Sequence, residues 1–180
     1  MQRWPTTGGA GDQVFSFVSH TLANHVEKLF ALGSGSISLS GNSAGNTIVG
    51  GAGKNKIDGG YGKDVLTGGK GRDTFIFNDK LSKTKNLDKI TDFSVKDDTV
   101  WLDNKVFKEI GNGSVSKPKK LDSDYFTIGA KAKDADDYII YNKKTGYLYY
   151  DKDGSGDAAA VAFGQLKKGL SLKFDDFYVV

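Results

Sequence analysis

The chain has no cysteine among its 180 residues, two prolines, two histidines and a single methionine. Without thiols it has neither disulfide staples nor thiolate metal sites, so stabilisation beyond the core has to come from elsewhere, for example from a bound cation. His20 and His25 stand five residues apart. The zinc-protease pattern H-E-x-x-H needs two histidines on one helical face around a general-base Glu, so these two read as surface or turn residues. There is no G-x-S-x-G elbow and no cysteine nucleophile, and no catalytic constellation is expected. No apolar run approaches the ~20 residues of a membrane span, and the first residues, MQRWPTTGGAGDQV, lack the apolar core of a cleaved secretory signal. The 25 basic and 22 acidic residues leave a net charge of +3. The lysines (Lys83, Lys85, Lys89; Lys117, Lys119, Lys120; Lys131, Lys133; Lys167, Lys168) are scattered and interleaved with Asp. That is a solvated face, and no nucleic-acid partner is expected.

What the chain has is glycine, 24 of them, and much of it is in register. From Gly41 to Ile76 four nonapeptides follow one another: GNSAGNTIV, GGAGKNKID, GGYGKDVLT and GGKGRDTFI. The pattern is G-G-x-G-x-D-x-U-x, with U a large apolar residue, and so short a period implies a solenoid rung. The apolar places Ile48, Ile57, Leu66 and Phe75 continue backward to Leu39 and Phe30, which gives an expected coil of about six half-turns. Each x-U-x triplet is long enough for one short strand with its central side chain inward, and the glycines permit positive φ and close backbone approach. Two nonapeptides make one turn, so each loop stacks on the loop eighteen residues away, Asn46 over Asp64 and Asn55 over Asp73. Side-chain oxygens converging from stacked loops, joined by glycine-loop carbonyls, form a hard oxygen cage suited to calcium at roughly 2.3–2.6 Å. A phosphate loop is ruled out: Gly53-Lys54 and Gly62-Lys63 are followed by Asn55 and Asp64, where a magnesium-binding hydroxyl is required.

These residues resemble the hemolysin-type, or RTX, calcium-binding repeat, most closely in Gly59–Thr67 and Gly68–Ile76. The resemblance implies a parallel β-roll with calcium ions along both edges. Its implied ligands are Asn46, Asn55, Asp64 and Asp73, with Gly51, Gly53, Gly60, Gly62, Gly69 and Gly71 supplying the loops. With one Asp and one Asn per site, affinity is expected toward the ~10⁻⁴ to 10⁻³ M range of extracellular modules.

Outside the repeats, GGAGD (Gly8–Asp12) falls one residue short of the loop pattern and is assigned no calcium. QVFSFVSHTLANHVEKLFAL (Gln13–Leu32) resembles the lead-in that precedes such repeats, with a strand over Val14–Val18 and a turn over Leu22–Leu29. Asp88-Lys89-Ile90-Thr91-Asp92-Phe93 resembles the D-x-I-x-D-F join between roll and C-terminal domain in serralysin-type proteins. That likeness makes Asp88 and Asp92 candidate ligands of a last calcium site, against the alternative of a polar turn. YIIYNKKTGYLYY (Tyr138–Tyr150) reads as a β-hairpin with aromatic cross-strand pairs, packed on the roll or presenting a sugar-binding face. Asp151, Asp153, Ser155 and Asp157, with Gly156, follow the start of an EF-hand loop. Ala162 stands where the bidentate Glu is required, so this is a tight turn or a weak calcium site. The ending FDDFYVV resembles the uncleaved signal of type I export and also reads as a last strand.

The sequence is therefore expected to be an all-β protein: residues 1–12 disordered or a truncated repeat, 13–78 a parallel β-roll, and 79–180 a β-rich, sandwich-like cap. The expected function is calcium binding that drives folding of a noncatalytic, secreted module, with calcium ions and a type I exporter as partners. Two alternatives stay open: the tail of a secreted metalloprotease, lipase or epimerase, and a surface adhesin that binds cell-surface polysaccharide.

Overall fold

The computed structural model describes residues 11–180; most of the expectation for residues 1–12 lies outside them. Gly11 and Asp12 are tied to the first rung, their N–H groups donating to the Glu27 carboxylate at 3.0 and 2.9 Å.

Ten short strands wind alternately into two parallel sheets. β1 (Gln13–Ser16), β3 (Lys28–Ala31), β5 (Thr47–Val49), β7 (Val65–Thr67) and β9 (Asp88–Ile90) line one wall. β2 (His20–Thr21), β4 (Ser38–Ser40), β6 (Lys56–Asp58), β8 (Thr74–Phe77) and β10 (Thr99–Leu102) line the other. Among the described residues the coil thus runs for ten half-turns, beyond the glycine pattern at both ends and longer than the six expected. In β4 to β7 the central side chain turns inward while its neighbours stay partly or fully exposed, the period-two consequence of the pleat; in β9 the phase is reversed, with Asp88 and Ile90 buried and Lys89 exposed. Parallel pairing stacks the inward side chains into two columns. Leu29, Ile48, Leu66 and Ile90 share one register, and Leu39, Ile57, Phe75 and Val100 the other, all at most 1% exposed.

The lead-in corrects the register expected from the apolar period. Leu29, not Phe30, pairs with Ile48 and enters the core. The segment between Leu29 and Leu39 is one residue longer than a repeat, and a one-residue slip inverts which side chain faces in. Phe30 lies outward, stacked on Phe15 with ring centroids 5.1 Å apart.

Beyond residue 78 both walls continue. β15 (Val161–Gln165) adds in parallel to β9, followed by β14 (Tyr147–Tyr150), β13 (Ile139–Asn142) and β12 (Phe126–Ile128). On the other wall β16 (Phe177–Val179) adds to β10 in parallel and β11 (Lys119–Lys120) closes the edge. The cap is joined edge to edge with the roll, its strands continuing both sheets. The expected hairpin is present as β13 and β14, paired Ile139 to Tyr150 through Asn142 to Tyr147. Phe77, Phe107, Tyr150 and Phe163 are buried together with edge-to-face contacts at 5.0–5.2 Å. No helix of the described residues is long and apolar enough to cross a membrane.

Candidate metal centre

The loops between strands form two ladders, one along each edge of the roll. On one edge the N–H of Asn46 donates to Asp64 Oδ1 at 2.6 Å, and the N–H of Asp64 donates to Asp88 Oδ1 at 3.1 Å. On the other, Asn55 donates to Asp73 Oδ1 at 2.8 Å and Asp73 to Asp98 Oδ1 at 2.9 Å. The stacking expected of Asn46 on Asp64 and Asn55 on Asp73 is what the structure brings together, and each ladder runs one rung further. All six side chains are buried.

Stacking also explains the glycines. A Cβ on Gly60 would meet Asn42 O at 2.5 Å, and one on Gly62 would meet Ala44 O at 2.6 Å. Cβ atoms on Gly53 and Gly69 would fall on the carbonyls of Gly35 and Gly51, and one on Gly71 would meet Gly53 O at 2.6 Å. Backbone carbonyls of each loop therefore point along the edge at the glycines of the next. Gly51 has the same neighbourhood, its Cβ position 2.6 Å from Gly33 O.

The electrostatics of this arrangement are unbalanced. Among the described residues, three buried side-chain polar atoms have no hydrogen-bond partner: Asp64 Oδ2, Asp73 Oδ2 and Asp151 Oδ1. Each belongs to an aspartate singled out from the sequence. A buried carboxylate oxygen without a donor costs several kcal/mol in its charged form, or else takes a proton. The second course shows in the acidities. Burial, with the charges of Asp98 and Asp92 adding to it, pushes the Asp73 carboxyl up to about 6 against the Asn55 N–H bond that lowers it. Asp64 and Asp88 are both held well above the carboxylate range, chiefly by burial, with negative neighbours that include Asp58 adding to it. A divalent cation supplies the missing partner and holds the carboxylates ionised. Among the described residues no three His, Cys, Asp or Glu side chains gather as a metal cluster. An ion here therefore draws chiefly on backbone carbonyls with one carboxylate from a loop, an all-oxygen set that suits a hard cation.

The other candidates divide. Asp92 is exposed and uses both oxygens as a clasp, Oδ1 accepting from Gly68 N–H and Oδ2 from Gly69 N–H at 2.8 Å each. Asp151 is buried with its free Oδ1, and burial raises its pKa. Asp153 accepts from Ala158 N–H at 3.1 Å, Ser155 N–H donates to Asp134 O at 2.7 Å, and Asp157 is exposed. Gly154, at φ +59°, carries the turn. Asp98, Asn86 and Asp58 were missed from sequence. Asp98 occupies the sixth place of a rung whose glycines are gone, Asn86 accepts from Gly62 N–H at 3.0 Å, and Asp58 accepts from Gly60 N–H at 3.0 Å. The only sequence signal for Asp98 is its position two residues before the inward Val100, the place Asp73 holds before Phe75.

A two-walled parallel β-roll with oxygen-lined, glycine-built edge loops is a cation-binding solenoid by construction. The comparison with known families makes it specific: the RTX calcium-binding nonapeptide repeat matches residues 40–75 in four copies. The chain carries RTX calcium-binding repeats, and calcium is their ion. No curated protein matches the chain.

Proposed function

We propose that this chain is a noncatalytic folding module of a protein exported by a type I ATP-binding-cassette transporter, kept slack where calcium is scarce and wound into a roll outside the cell. The observation that carries the reading is the pair of buried, unpartnered carboxylate oxygens on Asp64 and Asp73, in loops matched by the RTX repeat. A fold that buries uncompensated carboxylates is weak without its cation, and a ligand that binds only the folded state stabilises that state. Absence of cysteine fits a module whose cross-links are ions. The likeness of Asp88–Phe93 to the serralysin-type join supports placement beside a larger secreted protein.

Calcium binding by Asp64 and Asp73 would hold those loops, with carbonyls of the stacked loops completing the shell; the ion supplies charge neutralisation and no reaction step. Export is tested by expressing the chain in calcium-poor cells with and without a type I exporter. Release into the medium only with the exporter is expected, together with protease resistance on adding calcium. Release that ignores the exporter would overturn the route, and a chain equally protease-resistant in chelator would overturn the trigger.

A further inference from the structure

The roll contains two kinds of loop. In 41–46 and 50–55 the sixth-place side chain closes its own loop: Asn46 Oδ1 accepts from Asn42 N–H and Asn55 Oδ1 from Gly51 N–H, both at 2.8 Å. Their amide nitrogens reach back to the preceding loop on the same edge, Asn46 Nδ2 to Val26 O at 3.1 Å and Asn55 Nδ2 to Gly35 O at 3.3 Å. Asn42 Nδ2 adds bonds to Ala23 O and Val26 O at 2.8 Å each. The reverse amide orientation would set donor against donor and acceptor against acceptor.

In 59–64 and 68–73 both links are missing. The N–H four residues back is diverted, Gly60 to Asp58 Oδ1 at 3.0 Å and Gly69 to Asp92 Oδ2 at 2.8 Å. Gly60 and Gly69 take φ of +80° and +91°, and Oδ2 of Asp64 and of Asp73 stays without a partner.

A stack of inward carbonyls needs something electropositive between its layers. An Asn side chain carries its own, the NH₂ group, beside an oxygen that seals the loop; a carboxylate has no donor to offer. We infer that Asn42, Asn46 and Asn55 stand in for calcium, so that loops 41–46 and 50–55 are closed by their own amides and the ion enters only at the loops of Asp64 and Asp73. The inference rests on the calcium-triggered reading above and adds to it a division of labour. The amide-closed rungs form without metal and serve as the template on which the Asp rungs wind when calcium arrives, because in a solenoid each rung is ordered by its neighbour.

Two measurements on the full chain test this. Bound calcium per chain, counted by equilibrium dialysis at saturation, is compared with that of the Asn46→Asp/Asn55→Asp variant. If the Asn loops are closed, each new carboxylate creates a site and the variant binds more ions; an unchanged count with tighter binding would mean the Asn loops already held calcium, and would overturn the inference. Amide hydrogen exchange in chelator supplies the second arm, and does not depend on calcium binding. Residues 41–55 are expected to be protected in the parent chain and to lose much of that protection in the variant, which keeps Asn42 and lacks the amide donors of Asn46 and Asn55. Equal protection of 41–55 in both chains, or none in the parent, would sink the inference. If calcium alters no amide of either chain, the calcium-triggered reading fails, while the chelator comparison still decides whether the amides close the loops.

Discussion

Gly60 and Gly169 share nearly the same backbone conformation, φ +80° and +83°, yet a Cβ on Gly169 meets nothing within 4 Å while one on Gly60 lands 2.5 Å from Asn42 O. The pair separates two reasons for glycine. Gly169→Ala is expected to cost about 1 kcal/mol, the backbone term alone. Gly60→Ala must also push stacked loops apart, and is expected to lower the melting temperature in calcium at least twice as far. Similar shifts for both would mean that the stacked carbonyls do not crowd the glycine. Among the carboxylates, Asp64→Ala and Asp73→Ala are each expected to weaken calcium binding about tenfold or more, a loss of ~1.4 kcal/mol. Asp151→Ala is expected to do less, because its turn lacks the EF-hand's bidentate Glu; calorimetric titration of the three variants ranks them, and a largest loss at Asp151 would move the main site out of the roll. The sixth-place residues of the repeats were legible because the period of nine fixes their place. What Asn46 and Asn55 do there was not legible, since it depends on which way an amide hydrogen-bonds in the folded stack.

The strands of residues 41–76 could be read directly, because each x-U-x triplet repeats one choice of inward residue. β9 and β10 were hidden by their loops: 78–87 and 91–98 break the period, although Ile90 and Val100 extend the same columns as Leu66 and Phe75. The edge joining of β15 to β9 and of β16 to β10 was equally out of reach, since pairing between distant segments leaves no local periodicity. β16 shows what this costs a sequence reading. As an export signal, residues 175–180 should be removable without harm to folding, yet Phe177 is fully buried, Val179 is 2% exposed, and the strand lies between β10 and β11. Deleting residues 175–180 uncovers one edge of a wall and removes three buried side chains, Val180 included. At about 1.5–3 kcal/mol for each large apolar side chain exposed, this approaches the whole stability of a domain. The truncated chain is expected to show no cooperative thermal transition even in calcium; a melting temperature within a few degrees of the full chain would show that the strand is dispensable. In the columns themselves, Ile57→Ala, fully buried between Leu39 and Phe75, is expected to cost about 2–5 kcal/mol in denaturant unfolding.

Over the whole molecule the acidities set a pH response that calcium reverses. Asp73, Asp64 and Asp88 have folded-state pKa values above the ordinary 3.8, so without metal the folded chain holds more protons than the unfolded chain at intermediate pH. Stability contributed by these groups is complete below about pH 4 and is lost as pH rises through the folded values, about 6 for Asp73 and higher for the Asp64–Asp88 pair. In chelator, denaturant midpoints should therefore fall from pH 5 to pH 8. In calcium the ion competes with those protons, so affinity should rise over the same range, by about tenfold per pH unit for each proton displaced. Magnesium should replace calcium poorly, since it demands tight octahedral geometry and sheds its water reluctantly. The central claim, that a calcium-poor chain is incompletely wound and that calcium completes the roll, is tested most directly by circular dichroism of metal-stripped protein titrated with calcium, with magnesium as the control. The account predicts a saturable gain of β-structure with calcium, reversed by chelator and not reproduced by magnesium. Identical spectra with and without calcium, in protein shown to be free of metal, would contradict it.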